Sequence, residues 1–411
     1  MVSRRTFLIG SAAGLGVFGT AGAESGRSDV SAAPGRRYSR AAGSGAGFDP
    51  WVEIDAGALA HNARVVAELA EGRPVLGVVK NNAYGLGLET AGPVLDSLDE
   101  IAGLAVVKTS EAIALRDAGV AKPILLMGLF EERDAPELVA RDISLAPYWE
   151  SAPEVLRSIA RRFGRRLSVH LYLDTGMSRL GMPYYRAAPW ITELATLPEV
   201  AVKGTFMTFT EGDDFDPEQL RRFLDLAREV RARGIDIGRL HAASSHALFH
   251  RRNALLDMVR PGLVLYGAFP LGARNDADLR PALRLKARVV RVEQLRPGDS
   301  VSYGRNYMAE RPTWVATLPV GHADGYPRRA VEGCVVQIRN EVYPVIGAVS
   351  ASHTIVEIGT EQAVEVGDEA TLVGPDDPAI HPNTVAERAD MSVYDVLMHL
   401  SRGLPKKLIN A

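Results

Sequence analysis

Cysteine is almost absent from the sequence, which contains only Cys334 among its 411 residues. A single thiol can form neither an intramolecular disulfide nor a cysteine-rich metal site, and it is compatible with any cellular compartment. The nine histidines include no close ligand pair of the HExxH kind. The spacing of possible ligands therefore predicts no bound metal.

An excess of charge of either sign is also missing. Lysine and arginine number 47 against 50 aspartates and glutamates, so the formal net charge is -3. The body of the chain has no Lys/Arg-rich block interleaved with aromatic residues. Because a nucleic-acid backbone requires such a positive surface, we expect no nucleic-acid partner.

Apolar runs long enough to cross a bilayer, which takes roughly 20 residues, are absent too. The nearest candidate, residues 7–18, is diluted with Gly, Ala and Ser. It follows Arg4-Arg5 and precedes Ala21-Gly22-Ala23, a small-x-small pattern that is typical of a processing site. We predict an export signal over residues 1–23, which resembles the twin-arginine type that carries folded, cofactor-loaded proteins. The mature protein would then be periplasmic or extracellular, without a stable membrane anchor.

Residues 24–49 are rich in Ser, Gly, Ala and Arg and show no hydrophobic periodicity. Such a segment cannot bury enough apolar surface to offset its chain entropy. We predict a flexible linker here.

The rest of the chain has the composition of a folded enzyme, with 46% hydrophobic and 24% charged residues. Over residues 50–281 short apolar runs alternate with stretches of helical periodicity, beginning with VEID at residues 52–55 and PVLGVVK at 74–80. This alternation predicts βαβ units and a parallel sheet. About eight strand candidates fit a (β/α)₈ TIM barrel, although a doubly wound open sheet gives a similar rhythm. Residues 282–411 are instead dominated by short β-branched strands, which predicts a C-terminal β-rich domain.

Lys80 ends the apolar run PVLGVVK, the second strand in this count. Barrel enzymes place their chemistry at the carboxyl ends of the strands. A lysine that is partly removed from water there has a lowered pKa, and its free amine can bond to a carbonyl cofactor.

The segment VVKNNAYGLG closely resembles the cofactor-lysine motif of the alanine racemase family, and VEIDAGALAHNAR resembles the segment that opens family members. Further segments follow in the family's order, among them LDTGMSRLGM, RLHAASS, MVRPGLVLYG, SVSYGRNY and LPVGHADGYPRR. The resemblance implies a barrel that binds pyridoxal 5'-phosphate, a β domain after it, and the interconversion of L- and D-amino acids.

The resemblance also implies roles for individual residues. Lys80 would hold the cofactor and act as the base on one face of the substrate, and Tyr303 would act on the other face. Arg260 would face the pyridine nitrogen with His241 as its orienting partner, and Arg179 would contact the phenolic oxygen. The phosphate set would be Tyr84, Ser245, the backbone of Gly262 and Leu263, and Tyr394.

The sequence departs from the family's pattern at several positions. Tyr172 stands where many members have a lysine, and Thr208 stands where the family has a histidine. In GAVSASHT, Ala351 replaces the methionine that helps to close the substrate pocket, and Ser352 replaces an aspartate. A smaller residue at the pocket wall predicts a substrate range that extends beyond alanine.

Two other functions are compatible with part of these features. A barrel-type pyridoxal-phosphate decarboxylase or dehydratase would not need Tyr303 in its SVSYG motif, and a non-catalytic cofactor carrier would lack the β domain. Family members are head-to-tail dimers, so the resemblance implies a homodimer in which Tyr303 acts on the partner's Lys80.

Overall fold

The computed structural model describes residues 47–273 and 277–411. The predicted signal peptide and residues 24–46 of the predicted linker lie outside the described residues. In the part of the chain that is described, no helix combines the length and the apolar character needed to cross a membrane.

Strands and helices alternate through the first two thirds of the chain. The strands are β1 (Trp51–Asp55), β2 (Val75–Val78), β3 (Ile101–Val106), β4 (Ile124–Leu126), β5 (Ile143–Leu145), β6 (Leu167–Asp174), β7 (Met182–Pro183), β8 (Val200–Phe206) and β9 (Arg239–His241). The helices are α1 (Ala56–Leu69), α2 (Lys80–Tyr84), α3 (Leu88–Ser97), α4 (Thr109–Asp117), α5 (Ala135–Ala140), α6 (Ala152–Phe163), α7 (Ala187–Thr196), α8 (Asp216–Ala232) and α9 (Ser245–His250).

The parallel strands curl into a closed barrel. They lie in the spatial order β2-β3-β4-β5-β6-β8-β9, and β7 pairs with the end of β6. An extended segment at Val259 closes the sheet, since it bridges Val75 in parallel and its carbonyl accepts from Leu76 N at 2.9 Å. On its other side Arg260 N donates to Ala243 O at 2.8 Å, just after β9. The predicted (β/α)₈ barrel is confirmed, and the open doubly wound sheet is excluded.

Helix α1 illustrates how the helices pack outside the barrel. Asp55 caps its first turn by accepting from Ala58 N at 3.0 Å, which satisfies one of the free N–H groups at the helix start. Leu59, Ala63 and Val66 recur at helical spacing, and all three side chains are buried. The apolar stripe therefore fixes which side of the helix faces the sheet.

The last third of the chain is rich in strands, as predicted. Its strands are β10 (Leu283–Arg288), β11 (Arg291–Leu295), β12 (Ser300–Val301), β13 (Tyr307–Met308), β14 (Thr313–Leu318), β15 (Val335–Ile338), β16 (Glu341–Ile346), β17 (Thr354–Gly359), β18 (Glu369–Val373) and β19 (Lys406–Ile409). Two helices, α10 (Pro382–Arg388) and α11 (Val393–Met398), precede β19. In the described residues the main sheet has the order β11-β14-β17-β16-β15-β18-β10-β1-β19, and β12 and β13 form a separate ribbon.

The structure corrects the prediction for the first strand. The sequence count made VEID the first strand of the barrel, which is wrong, because β1 lies in the sheet of the C-terminal domain. It pairs antiparallel with β10, Val52 opposite Leu285, and parallel with β19, Val52 opposite Lys406. An apolar run predicts a strand but does not identify its partner. The strand that ends before Lys80 is therefore the first barrel strand, not the second.

Candidate active site

Lys80 directly follows β2 and opens a left-handed turn at the carboxyl edge of the barrel. The φ angles of the next four residues are 54° at Asn81, 60° at Asn82, 52° at Ala83 and 54° at Tyr84. This conformation costs roughly 1–2 kcal/mol for an ordinary residue, and asparagine tolerates it best. Contacts from α4 and α3 hold the turn, because Asn82 N donates to Glu111 at 3.2 Å and Leu88 N donates to Asn82 Oδ1 at 3.1 Å. The backbone that carries the Lys80 side chain is therefore held in place.

A cavity of about 560 Å³ lies above this turn. Its charged lining residues are Lys80, Arg179, Glu211 and Arg260; Arg179 and Glu211 are exposed, Lys80 is half-buried and Arg260 is buried. Burial lowers the pKa of the Lys80 amine, and the positive charge of Arg179 lowers it further. A lower pKa increases the fraction of neutral amine, which is the form that reacts with a carbonyl.

One wall of the cavity is a cradle of hydroxyl groups. Tyr84 stacks on Tyr266 with ring centroids 4.7 Å apart, and the ring centroid of Tyr394 lies 6.1 Å from that of Tyr84. A Cβ atom at Gly262 would lie 2.1 Å from Tyr84 Oη, so only glycine fits there. Gly262 N donates to Ser245 Oγ at 3.0 Å, which leaves the hydroxyl proton of Ser245 free for another acceptor.

A buried chain of one guanidinium and two imidazoles lies beside the cavity. Arg260 donates to His241 Nδ1 at 3.0 Å, to His241 O at 2.7 Å and to Met207 O at 2.7 Å. Because a guanidinium only donates, His241 accepts at Nδ1 and donates from Nε2 to His170 Nδ1, 2.9 Å away. Burial lowers the pKa of Arg260 to about 10 and that of His170 to about 4. At neutral pH Arg260 is therefore charged and His170 is neutral.

The structure does not bring Tyr303 or Ala351 into this cavity. Tyr303 is 78% exposed on the C-terminal domain, and Ala351 is exposed as well. The two segments lie at one edge of that domain, since Ser302 Oγ donates to Ala348 O at 3.1 Å. Val301, just before them, is buried and anchors the segment. The other predicted residues lie at the barrel cavity. Those that line it are Tyr84, Arg179, Ser245, Arg260, Gly262 and Tyr394. His241 and Leu263 are buried next to this lining.

Comparison with known proteins agrees with this arrangement. Residues 54–270 match the family described as alanine racemase, N-terminal domain, and residues 282–408 match alanine racemase, C-terminal domain. The chain belongs to the alanine racemase family. It is 33% identical to alanine racemase 2 of Caldanaerobacter subterraneus over 86% of this chain and 93% of that protein. It is 34% identical to the alanine racemase of Desulfovibrio desulfuricans over 87% and 97% of the two chains.

Solved racemase structures share the fold. The alanine racemase from the D-cycloserine producer Streptomyces lavendulae superimposes with a TM-score of 0.82 at 27% identity, covering 89% of this chain and 98% of that one. The family depends on pyridoxal 5'-phosphate, which confirms the predicted cofactor.

The residues of the cavity fit this cofactor. A phosphate needs several donors, and the cradle offers the hydroxyls of Tyr84, Ser245 and Tyr394. Ser244 Oγ is buried beside them and has no hydrogen-bond partner among the described residues. Lys80 supplies an amine in the same cavity, where a carbonyl group could reach it.

Two departures from the racemase pattern prove to be in contact with each other. Tyr172 Oη lies 3.1 Å from Thr208 Oγ1, and the Tyr172 ring stacks on Phe206 with centroids 4.3 Å apart. Phe206 in turn lies under the guanidinium of Arg260 at 4.8 Å. The larger Tyr172 and the smaller Thr208 therefore form one hydrogen-bonded aromatic layer beside the Arg260 chain.

Glu211 and Ser244 line the cavity of this racemase, and the sequence analysis did not identify either of them. Both follow closely after barrel strands, Glu211 after β8 and Ser244 after β9. Polar residues just beyond barrel strands are the usual source of catalytic side chains, so their position in the sequence was an available signal.

Proposed function

We propose that this protein racemises amino acids with pyridoxal phosphate, acting on alanine and on larger amino acids by a two-base mechanism. The observation that carries the proposal is the position of Lys80, whose amine shares one barrel cavity with a phosphate cradle in a chain of the alanine racemase family. Its relatives are named alanine racemases.

Pyridoxal phosphate, when bound, withdraws electrons from the substrate α-carbon and so weakens its C–H bond. Lys80 would hold the cofactor and move the α-proton on one face of the substrate. Tyr84, Ser245 and Tyr394 would donate to the phosphate. Arg260 stays protonated because it donates to backbone carbonyls and His241, and a cation there would discourage protonation of the pyridine nitrogen.

Tyr303 would be the base on the opposite face, supplied by a second copy of the chain. Its high exposure, 78%, supports this assignment, because a tyrosine in a single chain usually packs its ring. The proposed assembly is a homodimer in which Tyr303 of the partner subunit completes each barrel cavity.

Ala351 would lie at the same shared wall, because its loop is tied to the segment that carries Tyr303. With alanine there instead of methionine, the pocket would have room for a longer substrate side chain. The Arg4-Arg5 segment supports export of the folded, cofactor-loaded protein to the periplasm or beyond.

The test is a chiral assay of the purified holoenzyme against alanine, serine, methionine, lysine and arginine, together with borohydride reduction of the bound cofactor. We expect interconversion of both enantiomers of several of these amino acids, and reduced cofactor attached to Lys80. Lys80→Ala should lose both properties, whereas Lys203→Ala, which changes an exposed lysine, should keep them. Decarboxylation without racemisation, or cofactor recovered on another lysine, would contradict the proposal.

A further inference from the structure

Glu211 places a carboxylate in the active-site cavity without a hydrogen-bond or ion-pair partner in the described part of the chain. It shares the cavity with Lys80 and Arg179, and its side chain is exposed to the open space. Within residues 47–273 and 277–411 the Glu211 carboxylate has neither a hydrogen bond nor an ion pair. Arg179 is equally unpaired over the same residues, so Arg179 and Glu211 do not form an ion pair with each other.

The loop that carries Glu211 is rigidly held on both sides. Thr210 N donates to Gln219 Oε1 at 2.8 Å, and Gly212 N donates to Asp216 Oδ1 at 3.2 Å. Both acceptors are buried side chains at the start of α8. Glu211 itself has a φ of 61°, a conformation that a non-glycine residue keeps only when its surroundings impose it. Its neighbours are thus anchored to the start of α8 while its own side chain remains available.

A positive charge that pairs with the Glu211 carboxylate is best supplied by the side chain of the substrate. A carboxylate that loses water when a ligand fills the cavity is destabilised unless a cation replaces that water. The charge of Glu211 acts on Lys80 and on the partly buried His246. Neither is that cation in the proposed function, because the Lys80 amine is engaged by the cofactor and burial lowers the pKa of the His246 imidazole. Arg179, on the loop after β6, lies beyond ion-pair distance of Glu211. The α-amino group of the substrate reacts at the cofactor, which leaves a cationic side chain as the partner.

We propose that Glu211 forms a subsite for the cationic side chain of a basic amino acid, so that lysine and arginine are favoured substrates. This inference rests on the proposed racemase function and specifies the substrate class of the same site. Alanine has no group that can reach Glu211, and a neutral long side chain would leave the carboxylate unpaired.

The test compares Glu211→Gln with the native holoenzyme on lysine, arginine, methionine and alanine. Glutamine keeps the size of the side chain and removes its charge. We expect kcat/KM for lysine and arginine to fall about tenfold or more, mainly through KM, as for the loss of one charge-assisted hydrogen bond. The values for methionine and alanine should stay within about twofold. Asp214→Asn, the matched control, removes the same charge from the same loop outside the cavity and should change nothing.

The outcomes separate this inference from the function on which it rests. A native enzyme that racemises alanine or methionine but has no preference for basic substrates overturns the subsite alone. An equal loss on all four substrates in Glu211→Gln assigns Glu211 a general role and also overturns it. A native holoenzyme that racemises none of the four overturns the proposed function itself.

Discussion

At the scale of single residues, the Tyr172–Thr208 contact explains how the site tolerates two departures from its family. Each change taken alone alters the volume beside Arg260. Tyr172 adds an aromatic ring where many family members have a lysine, and Thr208 removes the ring of the family's histidine. Together they leave a stacked layer with a hydrogen bond of 3.1 Å. Cores accept paired changes that conserve volume better than single ones.

Ala351 carries the prediction about substrate length. Ala351→Met should lower kcat/KM for lysine, arginine and methionine by about tenfold or more and leave alanine within about twofold, because extra methylenes at a tight wall exclude long side chains. Steady-state kinetics with the four substrates measures this. Ala121→Met, an exposed change before β4 at the other end of the barrel, is the control. An unchanged profile in Ala351→Met would remove Ala351 from the pocket wall.

The sequence predicted the residues that surround Lys80 well and missed those that depend on tertiary contact. Tyr84, Ser245 and Gly262 were found through motifs, and they lie together in the structure. Glu211 belongs to no motif, and its proposed role follows from a carboxylate that has no hydrogen bond or ion pair within the described residues. The contact between Tyr172 and Thr208 joins two strands, which a single sequence cannot reveal.

At the scale of elements, the left-handed turn that follows Lys80 packs tightly against the loop that contains Gly262. Gly262→Ala should destabilise the fold by about 1–3 kcal/mol, the usual result of overpacking, because its Cβ would lie 2.1 Å from Tyr84 Oη. Tyr84 cannot move away easily, since it is buried and stacked on Tyr266. Cofactor affinity should fall as well, because Tyr84 belongs to the phosphate cradle.

Thermal unfolding of the apoprotein and an absorbance titration with pyridoxal phosphate measure the two effects of Gly262→Ala. Gly403→Ala is a suitable control, because the nearest atom to its new Cβ would be Ser401 Oγ at 3.6 Å. A Gly262→Ala protein with native stability and native affinity would show that the cradle is looser than the structure indicates.

Strand β1 shows that a sequence can predict a strand without predicting the strands with which it pairs. The run was correctly recognised as a strand, and the alternation of strands and helices correctly indicated a barrel. Its partners are β10 and β19, which follow it by more than half of the chain. Such distant pairing leaves no trace in local periodicity. The barrel nevertheless has its eighth extended segment, at Val259, in the run MVRPGLVLYG that the sequence places within the barrel.

At the scale of the whole molecule, the proposed shared site predicts complementation. Lys80→Ala and Tyr303→Phe should each be inactive as pure proteins. Mixed and allowed to exchange subunits, they should regain about a quarter of the native activity, because random pairing leaves one site in four with both bases. Racemisation of alanine after denaturation and joint refolding measures the recovery.

The complementation result has a clear alternative. If Tyr303 served the cavity of its own chain, every site in the mixture would lack one base and no activity would return. Mixing Lys80→Ala with Lys80→Ala/Tyr303→Phe is the control, since no combination of those chains contains an intact Lys80.

The place of β1 in the C-terminal sheet also has a consequence for how the protein is made. Residues 52–55 lie in register with residues 406–409, so a strand made early cannot complete its pairing until those later residues have been made. Strands β2 to β9 can pair before that point, whereas this edge of the C-terminal sheet forms only once residues 406–409 are available. Strand β1, made early, therefore gains its full set of partners only after the strands of the barrel have all been made.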